Sequence, residues 1–246
     1  MAGLDWLTAR PIAHRGLHGT GIIENTASAF TAAIGGGYGI ECDLQISADG
    51  EAMVHHDDAL GRLTEGSARL AEMNADALKA VRFKATADRM LTLSELCELV
   101  AGRAALVLEL KSRFDGDMRL VERAAKVLGG YGGPAAVMSF DPTMIEAARR
   151  ITPGLPRGIV AERHYSHYEW DRLPAVAKRR MAFLLHAKRT RPHFIAYAVK
   201  DLPAVAPLTM RLLFGLPLLA WTVRSEDDRR LAARYADQVI FEGWRP

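Results

Sequence analysis

The chain runs to 246 residues, 49% of them hydrophobic, enough to bury one large core, and a single α/β barrel commonly occupies this length. Its 32 basic and 29 acidic residues leave a formal charge of +3, too diffuse to indicate nucleic acid, although a weak pull toward phosphate-bearing small molecules or anionic surfaces stays open. The two cysteines suggest neither a disulfide framework nor a zinc knuckle: Cys42 lies in an apolar strand pattern and Cys97 in a helical one, so both read as buried free thiols.

The opening MAGLDWLTARPIAHRG lacks a basic segment followed by a long apolar stretch, so it reads as no secretory signal, and a cytoplasmic location is expected. Pro11 to His14 reads as a first short strand. The loop after it leads into a helix capped near Asn25 or Thr26, with Phe30, Ala33 and Ile34 on one face and Gly35 closing it. Ile40 to Ile46 is a second strand, and Ala52 to His56 pairs with it through the Ala-Asp-Gly turn at 48 to 50. Asp57 to Met90 is polar and irregular, too long for an ordinary connection, and is expected to form a small insertion over one end of the fold. A helix follows at Leu93 to Val100. Further strands read at Ala104 to Glu109, Val137 to Phe140, Arg157 to Val160, Phe194 to Ala198, Leu218 to Val223 and Gln238 to Phe241. Helices fill the gaps at Met118 to Leu128, Thr143 to Arg150, Tyr168 to Arg180, Ala204 to Phe214 and Glu226 to Tyr235, and the short apolar run Met181 to His186 is also read as helix. The most apolar run, Leu212 to Trp221, is about half the length of a membrane span and holds Gly215 and Pro217, so it is a helix end, a turn and a strand. The alternation closes a (β/α)8 TIM barrel, one domain over residues 1–246 with its insertion at about 57–90.

Side chains alternate sides along a strand, so in Ile40-Glu41-Cys42-Asp43-Leu44-Gln45-Ile46 the two carboxylates and Gln45 share one face. A solvent-facing antiparallel strand would alternate in the same way. In Leu106-Val107-Leu108-Glu109-Leu110-Lys111, however, Glu109 and Lys111 again share a face opposite three leucines. Helices would flank both strands outside a barrel, which leaves the polar faces pointing inward, where an unpaired carboxylate is costly. Three converging carboxylates, Glu41, Asp43 and Glu109, call for one divalent cation, and an all-oxygen set favours Ca²⁺ or Mg²⁺ over zinc. A structural ion-pair cluster neutralised by Lys111 is the alternative. His14 with Arg15 ends the first strand, and His56 with Asp57 ends the strand after the Asp-Gly turn, so both imidazoles should reach the same mouth as an acid and base pair. Metal, Arg and Lys to neutralise charge, with a base and an acid beside them, are the parts that hydrolysis of an anionic phosphodiester needs.

HRG at 14 to 16, ENT at 24 to 26, ECD at 41 to 43, HD at 56 to 57, LELK at 108 to 111 and WT at 221 to 222 resemble, in order and spacing, the motifs of the bacterial glycerophosphodiester phosphodiesterase family. The strong part of the resemblance covers residues 11 to 111; SF at 139 to 140 and the WT pair support the remainder. The resemblance implies a barrel with an insertion after its second strand and a cation on Glu41, Asp43 and Glu109. It also implies His14 and His56 as the catalytic pair, with Arg15 and Lys111 on the phosphate of a small glycerophosphodiester. In the family the neighbouring glycerol hydroxyl is thought to attack phosphorus first, giving a cyclic phosphate that water then opens. Between His55 and His56, the family pattern places the catalytic residue immediately before the Asp. Glu24 and Asn25 read as a positioning pair and helix cap. Phe140 and Trp221 are candidates for an apolar wall against the glycerol or lipid part, and equally for core. The last strand departs from the family's Thr-Asp-x-Pro ending with Phe241-Glu242-Gly243-Trp244, so the loop after it is expected to differ.

Two rival functions fit the same residues. A lysophospholipase D would take lipid-bearing diesters at a membrane surface; the stretch from Lys178-Arg179-Arg180-Met181 to Lys188-Arg189-Thr190-Arg191 interleaves basic and apolar residues as a surface-lying helix would. A solvated helix covering the barrel is the preferred reading of that stretch, so membrane contact is not favoured. A non-catalytic phosphate-binding barrel is the other rival, and it would be expected to have lost at least one of the two histidines or three carboxylates. Oligomeric state is not legible.

Overall fold

The computed structural model describes residues 3–167 and 170–246. A short helix, α1 (Asp5–Ala9), precedes the first strand, β1 (Ile12–Ala13); helix α2 (Ala27–Gly35) leads into β2 (Gly39–Ile46), and β3 (Ala52–Val54) follows. After α3 (Ala75–Ala80) and α4 (Leu93–Val100), strands and helices alternate: β4 (Leu106–Leu110), α5 (Arg119–Leu128), β5 (Ala135–Ser139), α6 (Pro142–Ile151) and β6 (Arg157–Ala161). The last units are α7 (Ala175–Ala182), α8 (Ala187–Thr190), β7 (Phe194–Ala198), α9 (Val205–Phe214), β8 (Leu218–Val223), α10 (Glu226–Tyr235) and β9 (Gln238–Phe241). Among the described residues eight strands run parallel in the order β1-β2-β4-β5-β6-β7-β8-β9, and β1 pairs with both β2 and β9, which closes the sheet into a barrel.

Helix starts follow local capping chemistry. Thr92 and Glu95 form a reciprocal capping box on α4, Ser225 and Asp228 another on α10, and Asp141 caps α6 with Pro142 in its first turn. The barrel interior is filled from the bottom by Leu7, Ile12, Val107, Ala136, Val160, Phe194, Ala196 and Leu219. Space there is tight: a Cβ on Gly158 would lie 2.3 Å from the Phe194 ring, so only glycine lets that ring lie across the axis. The larger apolar layer lies between barrel and helices. Strand β2 divides its partners. Its start pairs with the two-residue β1, and its end, from Leu44 to Ile46, takes the antiparallel β3 on the edge that β1 leaves free. The segment after β3 folds over this corner with a small core of its own, built from Met53, Leu60, Leu70, Leu78, Phe83 and Met90.

The structure matches the expected bounds of α4, β7, β8, α10 and β9. It corrects others. Helix α1 carries too few residues to show a period, yet its Leu7 plugs the barrel floor. The helix expected over Tyr168 to Arg180 begins outside the described residues at Tyr168; the described helix starts only at Ala175, because Pro174 takes an extended backbone at its N-cap. The run Met181 to His186 is not one helix: α7 ends at Ala182, Leu184 turns through φ 53°, and α8 restarts at Ala187. No helix among the described residues is long and apolar enough to cross a membrane.

Candidate active site

Parallel strands point their C-terminal ends at one mouth, and the alternation on β2 and β4 delivers Glu41, Asp43 and Glu109 to its inner wall. Asp43 and Glu109 are direct neighbours in the β2–β4 register. Glu41 and Asp43 are each 1% exposed and Glu109 8%, and each of the three offers an oxygen within 4.8 Å of the other two. The cations facing them are Lys111, whose Nζ lies 2.9 Å from Glu109 and 3.0 Å from Asp43, and Arg15, whose Nε lies 3.2 Å from Asp43. Burial, reinforced by Asp43 and Glu109, pushes the Glu41 carboxyl well above the usual carboxylate range. Burial also opposes ionisation of Asp43, but Lys111, His56, Arg15 and His14 together hold it well below that range. The protein alone therefore leaves this trio short of positive charge, its buried carboxylates opposing one another's ionisation. A hard divalent cation fits an all-carboxylate donor set and would relieve that shortage.

Arg15 takes a left-handed backbone at φ 56° and is followed by Gly16 at φ 77°, where a Cβ would lie 2.9 Å from the Ala29 backbone. This turn brings the Arg15 N–H to donate to Glu41 at 2.9 Å and its guanidinium to donate to Glu24 at 2.8 Å. Asn25 caps no helix; Thr26 does. Asn25 instead donates to the Asp43 carboxylate at 2.9 Å and accepts from the Asp43 N–H at 3.3 Å, fixing the carboxylate from below. Glu24 also receives Arg62 of the segment after β3, at 2.6 Å.

The two histidines are wired alike. His14 Nδ1 lies 2.7 Å from Glu242, which also accepts from Arg224 at 2.8 Å; its Nε2 lies 3.9 Å from Glu41. Burial lowers the His14 pKa to about 4, with Glu242 pulling the other way. His56 Nδ1 lies 2.8 Å from Asp57, which accepts from Arg62 Nε at 2.6 Å. Burial works against ionising Glu242 and Asp57, but the imidazole and the guanidinium beside each hold both well below the usual carboxylate range. His55 points the other way: it is 1% exposed and meets the Phe83 ring edge-on at 6.4 Å, in the core of the inserted segment. His18 brings a second imidazole near His14 and Glu242.

His56, Asp57, Arg62, Glu109, Lys111, Phe140 and Trp170 line a cleft of about 430 Å³. Phe140 is the centre of an aromatic cluster: Trp170 at 4.7 Å, Trp221 at 5.5 Å and Tyr165 at 6.3 Å between ring centroids. Trp221 Nε1 is buried with no acceptor among the described residues, an expense that a bound oxygen would remove. The structure thus gathers the predicted carboxylates, Arg15 and Lys111 in one place, puts both histidines at its rim, and sets Phe140 edge-to-face with Trp221. Glu242, Arg62, Tyr165 and Trp170 were missed. Glu242 stood in the sequence only as a departure from the expected ending; Tyr165 lies outside the expected elements and Trp170 inside a stretch that reads as helix, so nothing marks either for the cleft.

A glycerophosphodiester phosphodiesterase of Caldanaerobacter subterraneus subsp. tengcongensis is 27% identical over 240 residues, spanning 93% of this chain and 92% of its own. Among solved structures, an Oleispira antarctica phosphodiesterase in complex with the product sn-glycerol 3-phosphate superposes with a TM-score of 0.77 at 22% identity, covering 96% of this chain and 94% of that one. A glycerophosphodiester phosphodiesterase of Thermotoga maritima does so at 0.71 and 22% identity, over 94% and 92%. Both share the barrel fold. The model of the glycerophosphoryl diester phosphodiesterase family matches residues 14–242, a span that opens at His14 and closes at its partner Glu242, and the chain belongs to that family.

Proposed function

We propose that this protein hydrolyses glycerophosphodiesters to sn-glycerol 3-phosphate and an alcohol. The observation that carries the reading is the buried trio Glu41, Asp43 and Glu109 set beside two imidazoles, each backed by its own ionised carboxylate. Glu41, Asp43 and Glu109 would hold one divalent cation, Ca²⁺ or Mg²⁺, which when bound supplies charge neutralisation at the phosphoryl oxygens and at the attacking oxygen. Arg15 and Lys111 add positive charge at the same wall and orient the anionic diester. In each histidine the carboxylate at Nδ1 can only accept, so the proton stays on Nδ1 and Nε2 is left to exchange protons with substrate. One imidazole takes the proton of the glycerol hydroxyl beside the phosphorus as the new O–P bond forms. The other returns a proton to the alkoxide as its bond to phosphorus breaks, and water opens the cyclic phosphate with the roles reversed.

The product named in the Oleispira complex, sn-glycerol 3-phosphate, has the phosphate and vicinal hydroxyl that this scheme requires. Release of sn-glycerol 3-phosphate from glycerophosphocholine and glycerophosphoethanolamine, before and after EDTA and with Ca²⁺ or Mg²⁺ restored, tests the reading beside His14→Ala. Metal-restored turnover that the variant loses is expected; inactivity with every metal overturns it. One observation favours a lipid-bearing substrate as a second reading. The wall of Phe140, Tyr165, Trp170 and Trp221 offers more apolar surface than glycerol needs. Faster turnover of lysophosphatidylcholine than of glycerophosphocholine would decide for it.

A further inference from the structure

Charge is distributed unevenly around the barrel. Residues 172 to 225, which form α7, α8, β7, α9 and β8, hold ten Lys or Arg and one acidic residue, Asp201, while the remainder of the chain has 22 basic and 28 acidic residues. The same sector holds seven of the eight exposed large hydrophobic side chains among the described residues. Leu212, Leu213 and Phe214, 70%, 77% and 66% exposed, form the last turn of α9, and Val205 begins it. Val176 stands on α7, and Phe183 and Leu185 stand out from the turn between α7 and α8. Strands β6, β7 and β8 are consecutive in the sheet, so the α7–α8 and α9 connections follow one another around the outer wall. Single exposed leucines are ordinary; seven in one basic sector mark an interaction surface.

Four of the basic groups are already engaged, Arg189 with Glu146, Lys200 with Glu162, Arg211 with Asp237 and Arg224 with Glu242. Arg179, Arg180, Lys188 and Arg191 are exposed and form no ion pair among the described residues. A second copy of this chain is a poor occupant, because a two-fold contact through this wall would set a strongly positive face against itself. An anionic bilayer satisfies both features, lysines and arginines at the headgroups and apolar side chains just beneath them. The aromatic loop after β6, with Tyr165 and Trp170, leads directly into α7, so the apolar side of the cleft and the basic wall share one sector.

We propose that the α7–α9 wall docks this protein on anionic phospholipid bilayers, with Leu212, Leu213 and Phe214 entering the interface and Arg179, Arg180, Lys188 and Arg191 meeting the headgroups. The proposal does not depend on the catalytic reading, since binding needs no turnover. The test is co-sedimentation of the full chain with phosphatidylglycerol vesicles and with phosphatidylcholine vesicles, at low and moderate salt. It is run beside Leu213→Glu/Phe214→Glu and Arg179→Glu/Arg180→Glu, with circular dichroism and light scattering as controls for fold and mass. Binding to phosphatidylglycerol but not phosphatidylcholine is expected, weakened by salt and reduced roughly tenfold or more by either double variant. Absence of binding to phosphatidylglycerol at low salt would overturn the proposal, as would wild-type binding by both folded double variants. A concentration-dependent dimer that Leu213→Glu/Phe214→Glu abolishes, with no vesicle binding, would give the wall to a second copy instead.

Discussion

Glu242 lies 228 residues from His14 in sequence and 2.7 Å from its Nδ1, and two substitutions there separate what its charge does from what its position does. In Glu242→Gln the amide oxygen can take the place of the carboxylate oxygen, accepting from both His14 and Arg224, so the imidazole keeps its orientation and loses only the charge-assisted part of the bond. That difference is about 1 kcal/mol, or about fivefold in kcat. In Glu242→Ala nothing fixes the proton on Nδ1, the ring is free to adopt the other tautomer, and a loss of roughly 100- to 10,000-fold is expected. Because Glu242 is placed behind the imidazole, KM for glycerophosphocholine and cation affinity by calorimetry should stay near wild type in both. Steady-state kinetics at saturating metal measure the series. A Glu242→Ala enzyme with wild-type kcat, or one whose defect lies entirely in KM, would refute the reasoning and leave Glu242 as a surface partner of Arg224.

The other predictions concern the rest of the site and the fold. Glu41→Gln, Asp43→Asn and Glu109→Gln should each weaken binding of the divalent cation at least tenfold by calorimetry, roughly the loss of one charged ligand, and EDTA should abolish turnover; an EDTA-treated enzyme of full activity would contradict the cation reading. His56→Ala should lower kcat by roughly 100-fold or more, whereas His55→Ala, whose ring packs on Phe83, should lower Tm by several degrees with kcat unchanged. His186 is buried with neither ring nitrogen bonded among the described residues, and burial lowers its pKa to about 4. An unfolded imidazole takes its proton near pH 6.5 while the folded one resists until about 4, so stability present above pH 6.5 is lost as the pH falls through that window. The loss is about 3 kcal/mol, and His186→Leu should flatten that part of a denaturation series taken from pH 7 to 4.

The barrel was legible because its strands are short apolar runs and its carboxylates fall on one parity of two of them; Glu41, Asp43 and Glu109 needed only the rule that alternate residues share a face. His56 was legible through its neighbour Asp57, and local turn chemistry gave the helix starts at Thr92 and Ser225. What stayed hidden depends on contacts between distant residues. Asn25 looks like a cap because Asn is common before helices, yet its backbone at φ 56° turns the side chain onto Asp43. Tyr165 lies outside any periodic stretch, Trp170 inside one that reads as an outer helix, and α1 is too short to have a period. Leu212, Leu213 and Phe214 read only as an apolar helix end until burial shows them standing out from the barrel.

The site is organised as two equivalent relays, His14–Glu242–Arg224 and His56–Asp57–Arg62, on either side of one carboxylate trio. In each, the guanidinium helps hold the carboxylate ionised; under the proposed function that carboxylate would keep the proton on Nδ1 and leave Nε2 to the substrate. The relays differ in origin. The second is local, assembled from the end of β3 and the segment after it, with Arg62 also reaching Glu24 and so linking to Arg15. The first joins opposite ends of the chain, because β9 closes the barrel against β1 and sets Glu242 beside His14. Barrel closure and completion of the His14 relay are therefore one structural event. A chain that leaves β9 unpaired would keep its carboxylate trio and lose the group that orients one of its two histidines.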